Sequence, residues 1–350
     1  MNECGAFLHS ERNLERMKKL KYQTMSDLLN AEIARPKPLL GSWLTNQQIN
    51  MVFAPSGVGK SMFAMSIALA VAGGGEYLGW KAKGHSRVLI IDGEMDLFDL
   101  RDRVELLSGS IPDLDLDAAN ENLSLLAFQG QADDTHWPDL ANPEDHKIIL
   151  DRIKSEKIDL VILDNLSTLA TVENENDAAA WRPVIELLRK IKRLECTPVM
   201  VHHSRKGQSA TSDAYRGSQI LSVLLNANIL LEAPNDGHGV GGATFKVSFT
   251  KFRGMRTGET ETRLVELNEG GQWKHEILAV GKAYEVVSAI KSRDFQTQTE
   301  VAEGLSWSKG EVSKQLKKAY ELGLIKKYEV EECFDEAKSI SNEFGYDDDF

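Results

Sequence analysis

The stretch that decides the fold is Ala54-Pro55-Ser56-Gly57-Val58-Gly59-Lys60-Ser61. Ahead of it runs Gln48-Ile49-Asn50-Met51-Val52-Phe53, an apolar string that reads as a strand. Behind it, residues 61–72 repeat Met, Phe, Ile, Leu and Val between alanines and stop at Gly73-Gly74-Gly75, the pattern of a helix with a glycine stop. Strand, glycine-rich bend and helix in that order make a phosphate-binding loop, here with Ala54 where the first glycine usually stands. Gly57 and Gly59 let backbone N–H groups converge on an anion, and the following helix aims its N-terminus at it. Lys60 brings positive charge to β- and γ-phosphates, and the Ser61 hydroxyl is a Mg2+ ligand. Pro55, Ser56, Val58 and Met62 complete the stretch expected to touch the nucleotide.

Outward from the loop, strands alternate with helices. Arg87-Val-Leu-Ile-Ile-Asp92, Ile158-Asp-Leu-Val-Ile-Leu-Asp164 and Thr197-Pro-Val-Met-Val-His202 are almost wholly apolar, as strands buried on both faces are. Residues 143–156 and 178–194 read as helices between them. The alternation predicts an α/β fold with a mostly parallel sheet. Past Asn226 the pattern changes. Residues 228–232, 244–251, 262–268 and 272–278 read as strands joined by glycine-rich turns, hence antiparallel strands added at the sheet edge. We expect a helical arm over 1–35, broken by Pro36 and Pro38, an ATPase-type α/β domain over 36–280, a small helical domain over 281–328 and an acidic tail over 329–350.

Composition narrows the classes. The 350 residues include 27 Gly and 9 Pro, an ordinary level that excludes a collagen-like or wholly disordered chain. No apolar run reaches the ~18 residues of a membrane helix, and the charged N-terminus has no apolar signal core, so the sequence predicts a cytoplasmic protein without a membrane partner. Three scattered cysteines fit a reducing compartment and give no zinc pattern. The net charge is −12, but residues 329–350 alone carry nine acids against one lysine. The acidic balance therefore says little against nucleic-acid binding by the rest of the chain.

Two carboxylates support the loop. Asp164 ends an apolar strand, where a carboxylate holds magnesium. Glu94, in Ile91-Asp92-Gly93-Glu94, follows a neighbouring strand end, where it would orient and deprotonate an attacking water, with Asp92 as the rival base.

The ordered set of pieces resembles the RecA-fold hexameric ATPases, with closest likeness to RepA-type plasmid helicases and a relation to DnaB-type replicative helicases. The resemblance spans about residues 38–268. It rests on the phosphate loop, on Asp92-Gly93-Glu94 and on Val161-Ile162-Leu163-Asp164. It rests further on Val201-His202-His203-Ser204-Arg205-Lys206-Gly207 with Ser212-Asp213-Ala-Tyr-Arg216-Gly217-Ser218. It implies ATP and Mg2+ as cofactors, single-stranded DNA as partner and assembly as a hexameric ring. His202 or His203 would sense the γ-phosphate. Residues 204–213 would line the central pore, with Arg205 and Lys206 on backbone phosphates and Gly207 and Ser209 allowing close approach. Arg216 falls in the family's Arg-Gly-Ser element, at an interface. Thr250-Lys251-Phe252-Arg253-Gly254 resembles the segment inserted into a neighbour's ATP site, with Arg253 as the finger, Lys251 beside it and Arg256 as competitor. The arginine that RepA-type proteins carry shortly after Arg-Gly-Ser has no counterpart, because Asn226 and Asn228 stand there.

Residues 282–328 read as a winged helix: helices over 282–293, 299–305 and 308–322, then a wing strand from Ile325-Lys326-Lys327-Tyr328. Val312, Leu316 and Ala319 would face its core, leaving Lys309, Lys314, Lys317 and Lys318 outward, with Lys314 and Lys317 as candidate DNA contacts. The ending Gly345-Tyr346-Asp-Asp-Asp349-Phe350 resembles the acidic, aromatic-tipped tails that dock on replication partners. The expectation is a Mg-ATP-dependent DNA helicase or translocase of plasmid or phage type. The alternatives are a regulatory or loader ATPase that unwinds nothing, and a transcription regulator.

Overall fold

The computed structural model describes residues 21–173, 177–203, 219–233, 243–268, 270–278, 282–321 and 324–343. It divides into Met1–Pro36 and Lys37–Phe350. In the first unit a short helix spans Met25–Asn30, opened by a capping box in which Thr24 and Asp27 satisfy each other's backbone N–H. The expected helical arm is thus confined, among the described residues, to six residues, and the backbone is already extended at Ala31. Asn30 closes it. Its side-chain amide donates to the Ser26 hydroxyl one turn earlier, at 3.2 Å.

The second unit is built on a nine-stranded sheet. Its strands are β1 (Asn50–Ala54), β2 (Val88–Asp92), β3 (Leu123–Ala127), β4 (Leu160–Asp164), β5 (Thr197–His203), β6 (Ala227–Glu232), β7 (Ala243–Phe252), β8 (Arg263–Leu267) and β9 (Trp273–Ile277). They lie side by side as β9-β8-β7-β6-β1-β5-β4-β2-β3. The run from β6 to β3 is parallel throughout, and β7, β8 and β9 extend it antiparallel. This is the expected α/β architecture with one correction. The strand predicted at 228–232 as part of the antiparallel extension pairs parallel with β1, Asn228 beside Met51 and Leu230 beside Phe53. Its Ala-Asn-Ile-Leu-Leu string is buried on both faces, the signature of the parallel centre.

Period-two alternation assigns the two cores. In β1, Val52 and Ala54 face one side and Met51 the other, while in β4 Leu160 and Ile162 oppose Val161 and Leu163. The first side is covered by α1 (Lys60–Gly73), α2 (Leu97–Ser108) and α3 (Leu116–Asn122). The second side is covered by α4 (His146–Glu156), α5 (Leu166–Leu169), α6 (Arg182–Arg193) and α7 (Gln219–Leu224). Helix α1 is apolar all round and buried along nearly its whole length, as a helix wedged between a sheet and other helices must be. It stops at Gly74, whose φ of 73° is the left-handed cap that glycine adopts without strain. Against it stands a wall of edge-to-face aromatics, in which Phe63 meets Tyr77, Trp80 and Phe245.

The C-terminal segment forms α8 (Lys282–Lys291), α9 (Gln298–Gly304), α10 (Lys309–Glu321) and α11 (Lys327–Glu343), with a core of their own that includes Val286, Ile290, Val312 and Leu316. The first three match the sequence reading, with Thr297 capping α9 and the Ser308 hydroxyl accepting the Glu311 N–H. The wing does not. Residues predicted to begin a wing strand lead into a 17-residue helix, which also takes up most of the predicted acidic tail. Val330 and Ala337 are buried, and Cys333 and Phe334 pack against the same core, so an apolar stripe at helical spacing runs beneath the acids. Residues 344–350 lie outside the described residues. No helix among the described residues is long and apolar enough to cross a membrane.

Candidate active site

Every parallel strand ends at the same rim of the sheet, and a cavity of about 420 Å³ opens there. The bend after β1 forms its floor. Gly57 has φ 81° and Gly59 φ 113°, conformations that L side chains avoid. A Cβ on Gly59 would also stand 3.1 Å from the Phe245 ring, whereas one on Gly57 would meet nothing within 4 Å. Gly57 therefore serves the backbone path alone, and Gly59 serves both the path and the packing of β7 against the loop.

Lys60 is 6 % exposed, and its ammonium donates to the carbonyls of Ala54 at 3.1 Å and Pro55 at 2.9 Å, with Nδ1 of His203 at 3.1 Å. Burial lowers its pKa, while Asp164 and Glu94 oppose that shift. A phosphate would offer this buried cation better acceptors than backbone carbonyls do. Ser61 hydrogen-bonds Asp164, whose carboxyl is pushed up to about 6. Burial is the main cause, the carboxylates of Asp92 and Glu94 add to it, and Ser61 and Lys60 oppose it. A hydroxyl and a carboxylate in contact, beside a cradle for phosphates, are the two protein ligands that magnesium usually takes, the remainder being water and phosphate oxygen. The residues present thus fit Mg-ATP.

Glu94 reaches the same cavity from the end of β2. The Asp92 carboxylate borders the cavity too, but it turns back on its own chain, accepting the N–H groups of Glu94 at 2.9 Å and Met95 at 2.7 Å. Asp92 is 2 % exposed and shapes the turn, so Glu94 is the better placed of the two rival bases. The histidine pair separates as neighbours on a strand must. His203 lines the cavity against Lys60. His202 is buried edge-on against Trp181, its pKa brought down to about 4 by burial, with smaller contributions from His203 and Lys60.

Among the described residues, Lys251, Arg253, Arg256, Lys314 and Lys317 do not line this cavity. The Lys251 ammonium bonds the Ser222 carbonyl at 2.5 Å, and the Arg253 guanidinium bonds the Val223 carbonyl, both at the end of α7 in the same chain. Arg253 remains exposed, and Arg256 is tied to the Phe249 carbonyl. Lys314 and Lys317 are exposed on α10, as predicted. Arg205, Lys206, Gly207, Ser209 and Arg216 lie outside the described residues. Sequence reasoning missed Arg103 of α2 and Asn165, both of which line the cavity. Arg103 carries no motif, whereas Asn165, directly after Asp164 and ahead of Leu166-Ser167-Thr168, has the form of a helix cap.

The family model AAA_25, an AAA domain, matches residues 12–209, which include the phosphate loop, Glu94, Asp164 and both histidines. The chain belongs to the AAA_25 family. The family match ends ahead of Arg216, the antiparallel strands and the C-terminal helices. No curated protein matches the chain. Among solved structures, a KaiC-like protein from the hyperthermophilic archaeon Pyrococcus horikoshii is similar at 13% identity and a TM-score of 0.48, covering 70% of this chain and 100% of its own.

Proposed function

We propose that this AAA_25 member hydrolyses Mg-ATP and uses the cycle to move on single-stranded DNA, as a ring-forming helicase or translocase. The observation that carries the reading is the convergence of Lys60, the Ser61–Asp164 pair, Glu94 and His203 on one cavity at the carboxyl edge of the parallel sheet. Magnesium, held by Ser61 and Asp164, would supply charge neutralisation on the phosphate oxygens. Glu94 accepts a proton from water as its oxygen bonds to the γ-phosphorus and the bond to the β-phosphate oxygen breaks. Lys60 leaves the carbonyls of Ala54 and Pro55 to bind the phosphates, and the loss of its bond to His203 would report their presence to β5. Arg253, exposed and bonded to the Val223 carbonyl at the end of α7, would leave that carbonyl to face a second copy of the chain and stabilise charge on that copy's leaving phosphates.

The test is a mass measurement with a non-hydrolysable ATP analogue and an oligonucleotide, read beside the hydrolysis rate. Assembly and DNA-stimulated turnover are expected. Turnover in an assembly that ignores single-stranded DNA would favour the regulatory or loader ATPase, and a persistent monomer indifferent to DNA would remove the motor.

A further inference from the structure

We infer that Asn165 is a positioning residue for Glu94, a role that rests on the assignment of Glu94 as base. Three observations on different elements carry it. First, Asn165 is 2 % exposed and its Nδ2 donates to Oε2 of Glu94 at 2.5 Å. The orientation of this amide is forced. Its Oδ1 accepts the N–H groups of Ser167 at 3.0 Å and Thr168 at 3.3 Å, so only the NH2 end remains for the carboxylate.

Second, the backbone of Glu94 is pinned at its other end by the Asp92 carboxylate. The base is therefore held at both ends, the main chain by β2 and the side-chain tip by the turn after β4. Third, Gly93 is docked onto that turn. Its N–H donates to the Asp164 carbonyl at 2.9 Å, and a Cβ placed on it would stand 2.5 Å from Thr168 Oγ1 and 2.9 Å from Leu169 Cδ2. Glycine is what lets the two strand ends approach closely enough for Asn165 to reach Glu94. The sequence Asp92-Gly93-Glu94 and the sequence Asp164-Asn165 thus form one unit. Asn165 fixes the carboxylate rotamer over the cavity, so that the proton acceptor meets the attacking water in one geometry.

The experiment measures steady-state ATP hydrolysis, ATP-analogue affinity and thermal melting for the full-length protein and for Asn165→Asp, Asn165→Ala, Glu94→Gln and the double variants. Asn165→Asp keeps an acceptor for the Ser167 and Thr168 N–H groups but replaces the donor to Glu94 by a carboxylate that repels it. Asn165→Ala removes the donor without adding charge beside Asp164. In both, kcat is expected to fall about tenfold or more, with KM and analogue affinity within about twofold of the parent. In the Glu94→Gln background neither change is expected to slow the residual rate further. Parent-like kcat in either folded variant, or an equal further loss in the Glu94→Gln background, overturns the positioning role. Should Glu94→Gln itself hydrolyse at the parent rate, the assignment of the base fails instead, which keeps the two failures apart. Gly93→Ala supplies a variant that leaves both partners intact but pushes them apart, and it too is expected to lower kcat with affinity retained. Parent-like turnover there also counts against the inference.

Discussion

The Nζ of Lys60 sits 3.1 Å from Nδ1 of His203, a hydrogen bond that ties the phosphate loop to the end of the adjacent strand across 143 residues of sequence. An ammonium can only donate, so Nδ1 accepts and the ring proton belongs on Nε2. Replacing His203 by alanine is expected to lower kcat about ten- to hundredfold, the value of one hydrogen bond to a charged group. Lys60→Ala is expected to abolish binding of ATP as well. Comparison of fluorescent-nucleotide affinity with turnover checks both, and a His203→Ala protein with normal kcat would deny the ring any part in the cycle.

Glu94→Gln preserves shape and removes the basic oxygen. Its kcat is expected to fall about 10²–10⁴-fold while nucleotide still binds, because a general base contributes in that range and makes no demand on the ground state. Single-turnover chemistry measured beside analogue binding distinguishes this from a folding defect.

Asp164 and His202 impose opposite pH dependences on stability. The folded state holds the Asp164 proton to about 6 against 3.8 for the unfolded chain, so its contribution is full below 3.8 and is lost as pH rises through 6. The His202 ring sheds its proton down to about 4 against 6.5, so its contribution is full above 6.5 and is lost as pH falls through 4. Each is worth on the order of 3 kcal/mol, and between pH 4.5 and 6 they largely cancel. In the absence of divalent cation, denaturant melts of Asp164→Asn are expected to weaken on acidification through that window, and those of His202→Asn to strengthen. Parallel slopes for the two variants would refute the account.

If Arg253 serves the neighbouring copy, two crippled proteins repair one another. Lys60→Ala and Arg253→Ala, each inactive alone, are expected to regain part of the parent ATPase rate when mixed, because some interfaces then combine an intact loop with an intact guanidinium. A mixture no more active than its components would assign Arg253 to its own subunit, where its bond to the Val223 carbonyl would be purely structural.

Much of this was legible in the sequence because continuous apolar strings and a glycine-rich bend have few alternative meanings. The centre of the sheet, the loop, Asp164 and Glu94 follow from them. The edge strand β3 was not legible. Its Leu-Ser-Leu-Leu-Ala neither alternates nor runs fully apolar, since an edge strand is covered only in part, with Ser124 and Leu125 exposed. Helix α11 was read as wing and tail because its acids outnumber the residues of its buried stripe. The choice between His202 and His203 waited on the direction each side chain takes from β5. Asn165 was passed over because its capping role is local, whereas its second bond reaches a strand 71 residues away.

Strand β7 runs ten residues, from Ala243 at the cavity to Phe252, and is laddered to β6 and β8. Phe245 near its start braces Gly59, and Lys251 near its finish grips the last turn of α7. At roughly 3.4 Å per residue it spans some 30 Å. The register with β6 jumps from Phe249 opposite Ile229 to Lys251 opposite Asn228, so Thr250 is a bulge that bends the strand between these two grips, and a pull at Lys251 would reach the glycine bend through that bend rather than along a straight strand.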